Sequence, residues 1–225
     1  MGGSRLDRRG NSSNELPNKP LQQAIPPQEH RVESKSRLGG GLAAERQGVM
    51  RTGTRMNFRC TKKAQVRLRL TPSGLTPVPD AVSTVDWHCN VVTLGKRPFF
   101  LFAHSQSLYA FFVAAAGNSP LDAFGRAFRD QLAAALVREG IAASLSARLM
   151  DDGPDTICRA TDRRVLGTMN DHVNMSRFFV EDAGVLDDRV LAKIHDDINE
   201  SPMSILGMES PRRVLHALLS RRGAA

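Results

Sequence analysis

The sequence predicts an α+β domain in which an antiparallel sheet of about four to five strands is packed by about five helices. Two groups of short apolar segments, VDWHCNVVTLGKRPFFLFAH and SLSARLM with TICRA, have the pattern of hairpins. Amphipathic segments with the helical period follow each hairpin. The 225 residues, 41% of them hydrophobic, are enough for one domain with its own core.

The first 55 residues differ in composition from the rest of the chain. They are rich in Gly, Pro, Ser, Asn, Gln and Arg and contain no aromatic residue, so we expect residues 1–55 to be a disordered leader. Ten Lys/Arg against five Asp/Glu place most of the net charge of +8 in this leader. The leader is alternatively an artefact of the assigned start, because order is predicted to begin only at Met56. Residues 56–225 are then a single α+β domain.

The chain contains no run of roughly 18 apolar residues that would indicate a membrane helix, and the leader lacks the apolar core of a signal peptide. We therefore expect a cytoplasmic protein that does not associate with membranes. Cys60, Cys89 and Cys158 are far apart and form no CxxC pair, which predicts buried thiols and no metal site.

The predicted elements begin with a short strand at Asn57 to Cys60. TKKAQVRLRL follows as a short helix, although its pattern also fits a strand. TPSGLTPVPDAVS contains three prolines and is predicted as a loop. VDWHCNVVTL and PFFLFAH are two strands joined by GKR. The second of them is apolar on both faces and should lie inside the sheet.

Helices are predicted for most of the remaining chain. SQSLYAFFVAAAG is predicted as a helix capped by Ser105 or Ser107. The next helix has Ser119 as N-cap, Pro120 at its first position and Gly140 at its end. Its apolar stripe recurs every four residues, at Phe124, Phe128, Leu132 and Leu136. After the second hairpin, helices are predicted from near Thr161 or Asp162, in DDRVLAKIHDDIN and in SPRRVLHALLSRR.

A first group of candidate site residues lies in TDRRVLGTMNDHVNMS. On a helical wheel its apolar residues form one arc that faces the core, with His172 inside the arc and Asn170 at its margin. We expect Asn170 to be partly buried and to tie this helix to the DWHCN hairpin, whereas Asp171 lies on the polar side. Arg163 and Arg164 are either solvated or part of a binding surface.

A second group lies in VDWHCN, where strand alternation puts Asp86, His88 and Asn90 on one face. If the hairpin has a two-residue turn, His104 lies opposite Trp87, and Asp, His and Ser side chains meet at one end of the hairpin. Such a group would allow a positioned base or a bound metal. A register slip of one residue would move His104 to the other face. No GxSxG, HExxH, P-loop or dinucleotide motif accompanies these residues.

The segments FRCTKK, DWHCNVVTLGKRPFFLFAHSQSLYAFFV, TDRRVLGTMND and INESPM together resemble an uncharacterised bacterial family, domain of unknown function 6933. VLGTMND is similar to the family pattern VLG[ST]MND, whereas the family's DW-x-x-N element usually has Tyr and Ala where His88 and Cys89 stand here. The resemblance implies a compact single domain that starts near Met56, and it implies no activity or substrate. The residues that match the family pattern are Asp86, Trp87, Asn90, Asn170 and Asp171.

These patterns favour a binding or interaction module of unknown partner, and the candidate binding residues are Lys62, Lys63, Trp87, Arg163 and Arg164. One alternative is an enzyme, a hydrolase or nuclease, with a polar cleft around Asp86, Asn90, Asn170 and Asp171. Another is nucleic-acid binding through the leader and the basic face Lys62–Arg69. The sequence identifies neither a cofactor nor an oligomeric state. The alternatives differ in whether the four polar residues share one concave pocket.

Overall fold

The computed structural model describes residues 56–115, 121–142 and 155–223. Three predictions concern residues outside these ranges: the disordered leader, the Ser119 cap and the strand SLSARLM. Within them, five strands form one sheet in the order β4-β3-β2-β1-β5. The strands are β1 (Asn57–Cys60), β2 (Asp86–Leu94), β3 (Arg97–His104), β4 (Ala110–Ala114) and β5 (Thr156–Arg159).

The sheet is mixed, so the prediction of an antiparallel sheet is correct only for β2, β3 and β4. β1 runs parallel to both β2 and β5. Parallel neighbours need a crossover connection, and a short helix with the proline-containing loop provides one between β1 and β2. In the described residues β5 pairs with β1 and not with a hairpin partner.

The hairpin of β2 and β3 has a two-residue turn. Gly95 and Lys96 both have positive φ, 50° and 68°, as a type I′ turn requires. This turn sets the register that places Trp87 opposite His104. The one-residue slip that would bring His104 to the His88 face is therefore not adopted.

The prediction of a helix in SQSLYAFFVAAAG is wrong, because its centre forms strand β4, antiparallel to β3. The run AFFVA is apolar throughout, so helix and strand patterns cannot be separated by periodicity. Aromatic and β-branched residues favour a strand with two buried faces. Phe111 packs in the core on one side of the sheet and Phe112 in the core on the other.

The described residues contain five α-helices, and none is long and apolar enough to cross a membrane. Asp162 caps the third and Asp187 the fourth, each by accepting backbone N–H bonds. The cap at Asp162 confirms the predicted start near that residue. The helices are α1 (Lys62–Arg67), α2 (Leu121–Arg138), α3 (Arg163–Ala183), α4 (Asp188–Glu200) and α5 (Pro211–Gly223).

Two apolar cores lie on the two faces of the sheet. On one face, α2 and α5 pack on aromatic residues that include Phe58, Trp87 and Phe102. On the other face, α3 and α4 pack on residues that include Leu101 and Phe112. The three cysteines are free and buried in the described residues, as predicted.

Two side chains of α4 cover the outer edge of β4, the first strand of the sheet. Asn199 Oδ1 accepts the Ala110 N–H at 2.8 Å, and its Nδ2 donates to the Ala110 carbonyl at 2.7 Å. His195 Nε2 accepts the Phe112 N–H at 2.9 Å. Open strand edges pair with other chains, so these bonds close an edge that would otherwise be exposed.

Replacing Asn199 with alanine should lower the free energy of unfolding by about 2 to 3 kcal/mol, because the polar groups of Ala110 would lose their partners. Urea denaturation measures this loss. Glu200→Ala is the matched control, since this neighbouring side chain is exposed and its loss should cost under about 0.5 kcal/mol. Equal stability of the two variants would contradict the assigned role of Asn199.

Candidate functional site

Asp86, at the start of β2, is fully buried and holds together several segments of the chain. Its Oδ2 accepts hydrogen bonds from Arg59 Nη2 at 2.7 Å and Nε at 3.2 Å. Its Oδ1 accepts from Asn57 Nδ2 at 2.6 Å, and the Ser83 N–H donates to Oδ2 at 3.2 Å. With both oxygens occupied by protein donors and no solvent exposure, this carboxylate is placed to stabilise the fold.

His88 and Ser105 form a buried pair beside Asp86. His88 Nδ1 lies 3.1 Å from Ser105 Oγ, and each residue is about 1% exposed. Burial lowers the pKa of His88 to about 4. The Asp86 side chain bonds to Arg59 and not to His88. His104, the histidine predicted to meet Asp86 and Ser105, has its Nδ1 2.9 Å from Ser107 Oγ and its Nε2 3.1 Å from the Thr84 carbonyl oxygen. The described residues contain no group of three His, Cys, Asp or Glu placed to hold a metal.

A cleft of about 810 Å³ opens between α1, β2 and α3. Its basic side chains come from α1 and α3, and its amides come from β2 and α3. Valines form its apolar part. The lining residues are Lys62, Lys63, Val66, Arg67, Asn90, Val91, Val92, Thr93, Asn170, Val173, Asn174 and Arg177.

The amide of Asn90 is held in one orientation. Thr61 Oγ1 donates to Asn90 Oδ1 at 2.8 Å, and the Val91 N–H donates to the same oxygen at 2.9 Å. Both donors identify that atom as the carbonyl oxygen. Asn90 Nδ2, which only donates hydrogen bonds, has no hydrogen-bond partner among the described residues.

Asn170 lies across this cleft from β2 and is exposed. The prediction that it is partly buried and tied to the DWHCN hairpin is wrong, because its side chain makes no hydrogen bond to a described residue. Asn174 and Arg177 follow at helical spacings of four and seven residues, so all three lie on one face of α3. Asn174 and Arg177 were not among the predicted site residues. Their helical spacing from Asn170 is the signal in the sequence that could have identified them.

The four residues of the predicted enzyme cleft do not share one pocket. Asn90 and Asn170 line the cleft described above, whereas Asp86 is buried. Asp171 lines a second pocket of about 510 Å³ beside the start of α3.

The predicted binding residues also separate. Lys62 and Lys63 line the cleft, and Arg163 and Arg164 line the second pocket. Arg164 Nη2 also donates to the Ser105 carbonyl at 2.6 Å. Trp87 is only 3% exposed and belongs to the aromatic core.

The cleft is electrostatically one-sided. Lys62, Lys63, Arg67 and Arg177 line it, and no acidic residue is among the described residues that do so. None of the four forms a salt bridge with a described residue. Positive charges gathered in a cleft without neutralising partners attract anions.

Comparison with known proteins identifies one family. A family model described as Domain of unknown function (DUF6933) matches residues 57–214, well over half of the chain and including every residue that lines the cleft. No curated protein matches the chain.

Proposed function

We propose that this chain, which belongs to the DUF6933 family, is a binding module whose cleft between α1, β2 and α3 receives an anionic ligand. The observation that carries the proposal is the set of side chains in the cleft. Four are basic, three are amides and none of the described ones is acidic.

The chemistry of these groups matches an oxyanion. Ammonium and guanidinium groups form charge-assisted hydrogen bonds to carboxylate and phosphate oxygens. Arg67 Nη2 donates to the Ala115 carbonyl at 2.9 Å, which holds its guanidinium in place and leaves its other donors for a ligand. Asn90 Nδ2 adds a neutral donor fixed by Thr61.

The same residues support binding more than acid–base catalysis. No carboxylate, imidazole or thiol is among the described lining groups of the cleft, and these are the groups that most often transfer protons in enzymes. The Asp86 carboxylate and the His88 imidazole lie on the same strand as Asn90, but both are buried.

Charge reversal in the cleft tests the proposal. In the full chain, Lys62→Glu with Arg177→Glu should weaken binding of a heparin-derived hexasaccharide by at least about tenfold, because two attractive charges become repulsive. Titration calorimetry at two salt concentrations measures the affinity and its salt dependence.

The matched control is Arg126→Glu with Arg189→Glu, which makes the same change of charge at exposed residues outside the cleft and outside the second pocket. This control also keeps the basic leader. An equal loss of affinity in both double variants would show that net charge, and not the cleft, governs binding, and the proposal would then be abandoned.

A further inference from the structure

One edge of β2 is open inside the cleft. β1 ends at Cys60, which lies opposite Cys89, and the last backbone hydrogen bond between the two segments runs from the Thr61 N–H to the Cys89 carbonyl at 2.9 Å. β2 continues to Leu94. Beyond Cys89, β2 therefore has no strand neighbour on that side among the described residues.

The open edge carries both donors and acceptors. Because the hairpin turns at Gly95 and Lys96, Leu94 and Arg97 form a hydrogen-bonded pair, and Thr93 directs its backbone away from β3. Pro98, opposite Thr93, has no N–H to offer. Val91 has the same orientation as Thr93. The Val91 N–H bonds to Asn90 Oδ1, which leaves the Val91 carbonyl and both backbone groups of Thr93 for a ligand.

Basic side chains flank this edge on both faces of the sheet. Lys62 and Lys63 come from α1 on one side, and Arg177 comes from α3 on the other. Val66, which is 66% exposed, adds an apolar surface at the rim. An added strand would lie about 4.8 Å from β2, beside Val91–Thr93 and in the cleft between α1 and α3.

We propose that the anionic ligand is an acidic peptide, which binds in extended form by adding a strand to the edge of β2 at Val91–Thr93. Its carboxylates face Lys62, Lys63 and Arg177. This inference rests on the proposed function and names its ligand class. Phosphodiester groups only accept hydrogen bonds and cannot pair with the free carbonyls of Val91 and Thr93, whereas a peptide backbone supplies the donors.

Charge also argues that the peptide comes from another protein. The chain's own residues 1–55 contain ten Lys/Arg and five Asp/Glu, so their charge has the same sign as the cleft.

The test uses the full chain and a fluorescent dodecapeptide of alternating Glu and Val residues. Binding is measured by anisotropy for this peptide and for the same peptide methylated on every backbone nitrogen. Methylation keeps all carboxylates and removes the backbone donors, so the affinity should fall by at least about tenfold. An unchanged affinity would overturn strand addition.

A pair of variants tests the same edge from the protein side. Thr93→Pro removes the free N–H at an exposed position, where proline is tolerated at an open edge, and Thr93→Val keeps it. Only Thr93→Pro should weaken peptide binding, again by at least about tenfold, with melting curves to verify that both variants fold. Equal binding by the two would overturn the inference, and if Thr93→Pro does not fold, the methylated peptide decides.

The outcomes also separate the two proposals. If the hexasaccharide binds through the cleft and the dodecapeptide does not bind, strand addition is wrong and the anion-binding function stands. If a single-stranded oligonucleotide binds through the cleft in place of the peptide, the ligand is a nucleic acid. If no probe responds to the cleft variants, both proposals fail.

Discussion

Replacing Asp86 with alanine should lower the free energy of unfolding by about 3 to 5 kcal/mol, because it leaves a buried charge without its partner. Arg59 is 4% exposed and would lose its carboxylate. Asn57 and the Ser83 N–H would lose their acceptor as well. Urea denaturation followed by the fluorescence of Trp87, the single tryptophan and itself buried, measures the loss.

A double variant distinguishes this explanation from a simple packing defect. Asp86→Leu with Arg59→Met removes both charges and keeps most of the side-chain volume, so it should be clearly more stable than Asp86→Ala. If the double variant instead loses the sum of the two single losses, the stability does not come from pairing of the charges, and the assigned role of Asp86 is wrong.

The parts of the fold that were predicted correctly are those that local sequence specifies. Gly95 and Lys96 set the hairpin turn and thereby the whole register of β2 on β3. Asp162 caps its helix through bonds to residues two and three positions away. Such signals act over a few residues and can be recognised without a structure.

The parts that were missed depend on distant segments. The parallel pairing of β1 with β5 joins Asn57 to Thr156, and nothing in either short segment specifies that partner. The strand at Ala110–Ala114 is as apolar as a buried helix, and its identity is decided by the two cores that receive Phe111 and Phe112.

The same reason explains the outcome for the site. The helical wheel placed Asn170 at the edge of the buried arc of α3. How deeply this edge is buried depends on which part of the sheet packs against it, and the wheel does not show that. β1 is only four residues long, so the sheet has a gap below that part of α3, and the amide faces a cleft. Two of the family-like segments meet there, since Thr61 follows Cys60 in RCTKK and bonds Asn90 of DW-x-x-N.

Acidification from pH 7 to pH 5 should lower the free energy of unfolding by about 5 to 6 kcal/mol through three buried histidines. Burial lowers the pKa of His88 and His172 to about 4 and that of His195 to about 3. In the unfolded chain a histidine has a pKa of about 6.5, so the unfolded state takes up protons first as the pH falls. The stability is thus fully present above about pH 6.5 and is lost as the pH falls toward the folded values.

The histidines should contribute separately, at about 2 kcal/mol each over this interval. His88→Gln removes one of them, so its stability should fall by about 2 kcal/mol less than that of the parent between pH 7 and pH 5, whatever its stability at pH 7. His216→Gln is the control, because His216 is an intermediate-exposure residue whose side chain lies 3.7 Å from Glu139 and not in either core. Most carboxyl groups remain ionised down to pH 5, so they contribute little to the change over this interval. If the stability of the parent does not change between pH 7 and pH 5, the buried imidazoles accept protons without cost and this prediction is wrong.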